Sequence, residues 1–233
     1  LNGPRLAELA TLDDAAFRAL FLEGGVDGLE PVQALALFYD FRELTPVGAE
    51  GDDMVRRLAR RLIDVDLLTP AAELLKHQVD NRLDGVAKAQ VATDLAGVYL
   101  MNRQPEQALQ TIWATRTTLL PTALNSERRA LEARALADLG RFDHALELLE
   151  ADNSTAAVAV RADVRWRRQD WAEAAALYER LLAGREGGAL TPEEESRLIR
   201  AGVGYTLARD PGGVARLSGR YGDLVEGARS APA

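Results

Sequence analysis

Apolar residues recur along most of this chain at intervals of three and four, the period of an α-helix with one buried face. Met54, Val55, Leu58, Ala59, Leu62 and Ile63 follow that spacing. After Thr69-Pro70, which reads as a cap and a first-turn proline, Ala71, Leu74, Leu75 and Val79 follow it again. The same pattern predicts a helix over 84–102, a turn at Arg103-Gln104 and a restart at Pro105. It predicts another from about Ser126 to Leu139, turned at Gly140 and returned over 142–149. The next pair starts at Asn153-Ser154, turns at Gln169-Asp170 and ends near Ala183. No segment alternates apolar and polar residues for long enough to predict a strand.

The flanks read as helical too. Thr11 before Leu12-Asp13-Asp14 predicts a capped helix running to about Leu22 and stopped at Gly24-Gly25. Pro31 suits a first helical turn, with Val32, Leu35, Leu37, Phe38 and Phe41 as the apolar face and Thr45-Pro46-Val47-Gly48 as the break. Residues 184–188 read as a loop. Thr191-Pro192-Glu193-Glu194-Glu195 joins a cap, a first-turn proline and acids at the positive dipole end. That helix is expected to stop before Asp210-Pro211-Gly212-Gly213, with a short last helix near 221–228 and a frayed tail over 230–233.

Alanines twelve residues apart mark the register. The pairs are Ala59/Ala71, Ala96/Ala108, Ala133/Ala145 and Ala162/Ala174, at steps of 37, 37 and 29 residues. A small residue at a fixed place on two consecutive helices is what close helix packing needs, so the chain reads as a stack of helical hairpins. Ala201 and Gly213 repeat the twelve-residue spacing and suggest a degenerate fifth unit.

These hairpins resemble the tetratricopeptide repeat, a helix–turn–helix unit of about 34 residues. The residues that carry the resemblance are Leu95-Ala96, Tyr99, Pro105, Ala108, Ile112 and Pro121. They continue as Ala133, Leu136, Leu139-Gly140, Phe142 and Ala145, and then as Ala162, Trp166, Asp170-Trp171, Ala174 and Tyr178. It covers about 52–183, with Ala59, Leu62, Ala71 and Leu75 as a weaker first copy. The family's early tryptophan is missing, its turn glycine stands only at Gly140, and the 29-residue step calls for a shortened second helix or a tight link. The resemblance implies an all-α, right-handed superhelix (solenoid). Its parts are an N-terminal helical pair in 1–50, four hairpins in 51–183 and a degenerate cap in 184–233.

Composition narrows the function. Aromatics are 6% of the 233 residues, so the core is mostly Leu, Ala and Val. The formal net charge of −8 argues against a nucleic-acid binder, which carries a basic excess. Residues 1–50 hold nine acidic and three basic side chains, while 51–120 hold nine of each. There is no cysteine, which excludes disulfides, thiolate metal sites and a Cys nucleophile. No apolar run approaches the ~20 residues of a membrane span. A start at Leu1 is expected of a trimmed or mature fragment. Both a cytoplasmic and a periplasmic location stay open, the latter including the soluble part of a membrane-anchored protein. Twenty-six Arg against two Lys, with abundant Ala, is the composition a GC-rich bacterial genome yields.

Candidate chemistry is sparse. His77 and His144 belong to no paired metal-ligand spacing. Gly202-Val203-Gly204 with Ala208 imitates a dinucleotide loop but sits inside a helical pattern, where glycine serves packing. No catalytic residue, cofactor site or metal site is predicted. Arg56 and Arg60 share one helix stripe, Arg57 and Arg61 another. These form either a solvated face paired with Asp52, Asp53 and Asp64 or an anion-binding patch. Arg161, Arg165, Arg167 and Arg168 form a second cluster. Of the three tryptophans, Trp113, Trp166 and Trp171, Trp171 suits a core, whereas Trp166 sits where it can face a groove.

In the family that the hairpins resemble, first helices line a concave face that binds peptides or partner proteins. Transferred by register, that face holds Arg56, Arg60, Gln90, Thr93, Arg134, Asp138, Asp163, Trp166 and Arg167. The resemblance thus implies a non-enzymatic scaffold with a protein or peptide partner. The alternatives are a structural spacer or self-association arm of a larger bacterial protein, and a non-catalytic helical domain of an enzyme.

Overall fold

A computed structural model describes residues 30–41, 48–183 and 189–230. Every regular element among them is an α-helix. The chain divides into two compact units, 1–119 and 120–233. The predicted helix over 11–22 lies outside the described residues.

In the first unit α1 (Pro31–Phe41) packs on α2 (Ala49–Asp64), α2 on α3 (Leu68–Asn81), α3 on α4 (Gly85–Met101) and α4 on α5 (Pro105–Ala114). Its core joins Met54, Leu58 and Leu62 of α2 to Leu74, Leu75 and Val79 of α3 and to Val91, Leu95 and Val98 of α4. On α1 the buried residues are Ala34 and Phe38, while Val32 faces solvent, contrary to the face expected for it.

In the second unit α6 (Thr122–Asp138) packs on α7 (Phe142–Leu148) and on α8 (Thr155–Arg167), and α7 also meets α8. Next, α8 packs on α9 (Trp171–Leu182), α9 on α10 (Pro192–Leu207) and α10 on α11 (Pro211–Ser230). The seven residues of α7 account for the short 29-residue step.

All eight register alanines are buried, none more than 1% exposed. Helix axes pack about 8–10 Å apart according to the side chains between them, and a methyl group allows the near end of that range. A larger side chain there forces strain that costs about 1–3 kcal/mol.

The hairpin turns repeat as strictly as the alanines. Asp66, Arg103, Gly140 and Gln169 all adopt positive φ, at 62°, 56°, 76° and 65°. Each follows its alanine by seven residues. Arg209 after α10 also adopts positive φ, at 56°, but follows Ala201 by eight. In each turn the next amide donates back across six residues. Leu67 N–H bonds Leu62 O, Gln104 N–H bonds Tyr99 O, Arg141 N–H bonds Leu136 O, Asp170 N–H bonds Arg165 O, and Asp210 N–H bonds Tyr205 O. This is the Schellman closure of a helix end, which favours glycine because only glycine enters the left-handed region without strain. Four of the five turns form it without one.

Two boundaries differ from expectation. Thr69-Pro70 does not cap α3, which already begins at Leu68 with Ala71 N–H bonded to Leu67 O. The Thr69 hydroxyl instead accepts from Asn102 Nδ2 at 3.3 Å. The helix that starts at Thr191 ends at Leu207, before Asp210-Pro211-Gly212-Gly213 as expected, but the helix that follows is longer than the short one expected near 221–228. Asp210 Oδ1 accepts from Gly213 N–H at 3.0 Å and Pro211 occupies the first turn, so the segment starts a 20-residue helix. The Thr191 start holds as a full capping box with Glu194.

Candidate functional site

Arg134 and Asp138 follow Ala133 by one and five residues on α6, and Asp163 and Arg167 follow Ala162 in the same way on α8. The buried alanine turns the next residue, 100° around the helix, towards the surface. The four side chains meet at a depression of about 230 Å³ that Ala137, Val160, Val164, Trp166 and Arg200 also line. Five of the predicted positions therefore share one cavity in the second unit.

Its charges are organised. Arg167 Nη1 donates to Asp138 Oδ1 at 2.8 Å, and its guanidinium stands 5.2 Å from the Phe142 ring centroid. Arg200 Nη1 donates to Asp163 Oδ1 at 2.7 Å and to the Tyr178 hydroxyl at 3.0 Å. Tyr178 donates its own proton to Asp163 Oδ1 at 2.7 Å. Burial, reinforced by the bond to Asp163, pushes the Tyr178 phenol up to about 12. Arg134 has no ion-pair partner among the described residues. Three guanidiniums against two carboxylates leave the lining one positive charge in excess.

The wall is aromatic. Trp166 is half-buried, with its ring edge-on to Trp171 at 5.1 Å and to Tyr178 at 6.1 Å. Edge-to-face pairs of this kind hold a ring in one orientation. Trp171, expected in the core, is half-buried behind it. Trp113 is exposed and approached by Arg116.

The predicted residues of the first unit assemble differently. Arg56 is ion-paired to Asp53, while Asp52 is taken by Arg82 at 3.5 Å and by Gln78 Nε2 at 3.2 Å. Arg56 and Arg60 both act on Asp94, whose carboxyl is raised by burial against their pull and a hydrogen bond from Gln90. Thr93 is a correction: it is wholly buried, and its hydroxyl donates to Ala89 O at 2.7 Å. Three residues back along a helix is nearly the same face, so Thr93 shares the burial of Ala96. Its neighbour Asp94 takes the surface position.

The second basic cluster disperses. Arg161 donates to Leu149 O at 2.7 Å and to Glu150 O, closing the end of α7. Arg165 pairs with Asp170 and Glu173, and Arg168 with Asp143. His77 and His144 are exposed, and no metal-binding cluster exists among the described residues. Gly204 serves packing, since a methyl there would meet Ala175 Cβ at 3.0 Å and Trp171 O at 3.1 Å.

Arg200 was the residue that register missed. It precedes Ala201 rather than following it, and only the approach of α10 to Tyr178 brings it in.

Two solved structures share this fold. PilF of Pseudomonas aeruginosa aligns at 17% identity over 94% of each chain, with a TM-score of 0.58. BtubC (BKLC) from P. vanneervenii aligns at 14% identity over 88% of this chain and 90% of its own, with a TM-score of 0.59. The chain has the fold of a tetratricopeptide-like helical repeat protein. No family model and no curated protein matches its sequence. Among the described residues no helix is long and apolar enough to cross a membrane.

Proposed function

We propose that this repeat protein is a non-enzymatic interaction scaffold, and that the first helices of its second unit grip an acidic peptide segment of a partner protein. The observation that carries the reading is the shared depression. Arg134, Asp138, Asp163, Trp166, Arg167 and Arg200 line it together, with a positive excess and a half-buried tryptophan. Val160 and Val164 give it an apolar floor. Trp and Arg are the side chains most often found to dominate binding energy, and charge complementarity sets specificity and on-rate. The organisation into a capping pair (1–50), four hairpins (51–183) and a terminal degenerate unit (184–233) belongs to the same proposal.

The test is fluorescence anisotropy with a set of labelled acidic peptides that carry one aromatic or aliphatic residue. Binding to the wild-type chain is expected to weaken about tenfold or more in Trp166→Ala and Arg134→Glu, with circular dichroism unchanged. Equal affinity in all three would remove the site from this face.

A second reading, self-association, rests on a different observation. Ile199, Val203 and Leu207 form an exposed apolar stripe along α10, at 65%, 43% and 50% exposure. Sedimentation across a concentration series decides it. A mass that rises with concentration, and falls back in Val203→Glu, favours a self-association arm.

A further inference from the structure

The chain holds 26 arginines and only two lysines, Lys76 and Lys88. Both line a single depression of about 280 Å³ in the first unit. It lies between Lys76, Val79 and Asp80 of α3, Lys88, Leu95 and Tyr99 of α4, and Gln107, Gln110, Thr111 and Ala114 of α5 with Thr115 at its end. On α4 these are not the positions that carry Gln90 and Asp94, so this depression is separate from the cluster around Arg56 and Arg60.

Part of its polar lining is committed, with the Thr115 hydroxyl donating to Thr111 O at 2.7 Å. Lys76 is ion-paired to Asp80 one turn along α3. Lys88, Tyr99, Gln107, Gln110 and Thr111 make no side-chain hydrogen bond among the described residues. Burial raises the Tyr99 phenol, so its hydroxyl keeps its proton at neutral pH and remains a donor. Two ammoniums and one carboxylate leave the lining one positive charge. The walls between these donors are apolar, formed by Val79, Leu95 and Ala114. Arginine presents a broad fixed fork suited to two-point recognition, whereas lysine presents one compact charge whose donors turn to suit a ligand.

We propose that this depression binds a small monocarboxylate with an apolar body. Its carboxylate is held by Lys88, and its apolar part lies on Val79 and Leu95. A volume near the lower end of the ~300–1,000 Å³ typical of ligand sites limits the ligand to about a dozen heavy atoms. The single positive charge selects a monoanion over a phosphate dianion.

The two-lysine composition supplies the assay. Protein labelled with ¹³C-lysine gives two side-chain Cε resonances, one for each lysine of the site. They are followed during titration with N-acetyl-leucine, with N-acetyl-leucinamide (uncharged) and with inorganic phosphate. The expected result is a saturable shift of both resonances with N-acetyl-leucine alone. In Lys88→Gln the remaining Lys76 resonance reports a dissociation constant weakened roughly tenfold or more, the loss of a charged hydrogen bond. Arg134→Glu, in the other unit, leaves the titration unchanged. No saturable shift at millimolar N-acetyl-leucine overturns the proposal. An equal response to the amide or to phosphate, or an unweakened response in folded Lys88→Gln, overturns it as well.

Discussion

Gly213 sits against the ring of Tyr205. A methyl added to Gly213 would overlap that ring, with even the more distant Cε1 only 2.8 Å away. Four hairpins close on a pair of alanines; the fifth closes on Ala201 and a glycine, because Tyr205 fills the space that the second methyl occupies elsewhere. Gly213→Ala, the substitution that would complete the repeat pattern, is therefore expected to destabilise the protein by about 1–3 kcal/mol. Denaturant midpoints check this. Tyr205→Leu in the same chain should recover part of the loss, because the cost arises from the ring.

The turns give a prediction of opposite sign. Arg103, Gln169 and Arg209 hold left-handed backbone at φ of 56°, 65° and 56°, a conformation that costs a side-chain-bearing residue about 1–2 kcal/mol. Arg103→Gly and Gln169→Gly are expected to raise stability by up to about 1 kcal/mol each, after the extra chain entropy that glycine gives the unfolded state. Gly140→Ala is expected to lower it by a similar amount. Thermal unfolding of the three variants reads both signs.

Alkaline pH tests the two buried phenols. Tyr178 and Tyr205 are each pushed up to about 12, mainly by burial and then by donation to Asp163 and Glu179. Their protonated forms are favoured in the folded state. That stability is fully present below the unfolded value near ~10 and is lost as pH rises towards the folded value. A melting temperature that falls steeply above about pH 10 is expected, with a shallower fall in Tyr178→Phe.

Acid pH tests Asp152. It is buried between α7 and α8, accepts the Ser154 amide at 2.9 Å and pairs with Arg129 of α6 at 3.0 Å. The Ser154 amide, and then the Ser154 and Ser126 hydroxyls and Arg129, hold its carboxyl below the usual range. A depressed carboxylate stabilises above its unfolded value of ~3.9, and the contribution disappears as pH falls through the folded value. Asp152→Asn is expected to be less stable at neutral pH and to lose less between about pH 5 and pH 3.

Much of this architecture was legible from residue types. Ala59, Ala96, Ala133 and Ala162 set the hairpin period, because only a small side chain allows helix backbones to approach, and that requirement reads directly off the chain. Thr191 with Glu194 signalled a helix start through local hydrogen bonding alone. Gly140 marked one turn of five. The turns at Arg103-Gln104 and Gln169-Asp170 were legible as breaks in the helical period, but their left-handed residues were not, because a left-handed residue that is not glycine has no letter of its own; tertiary packing of the flanking helices imposes it.

Register also carried five side chains of the candidate site, since Arg134, Asp138, Asp163, Trp166 and Arg167 take their directions from helices whose buried faces were already known. What only the tertiary structure decided was the company they keep. Arg200 reaches Asp163 across 37 residues, Thr93 turns inward beside Ala96, Asp210 opens a 20-residue helix where only a short one near 221–228 was expected, and Lys76 and Lys88 come to line one cavity. Helical periodicity fixes the angle of each side chain about its own axis. The distance between side chains on different helices depends on how those helices pack, and that has no periodic trace in the sequence.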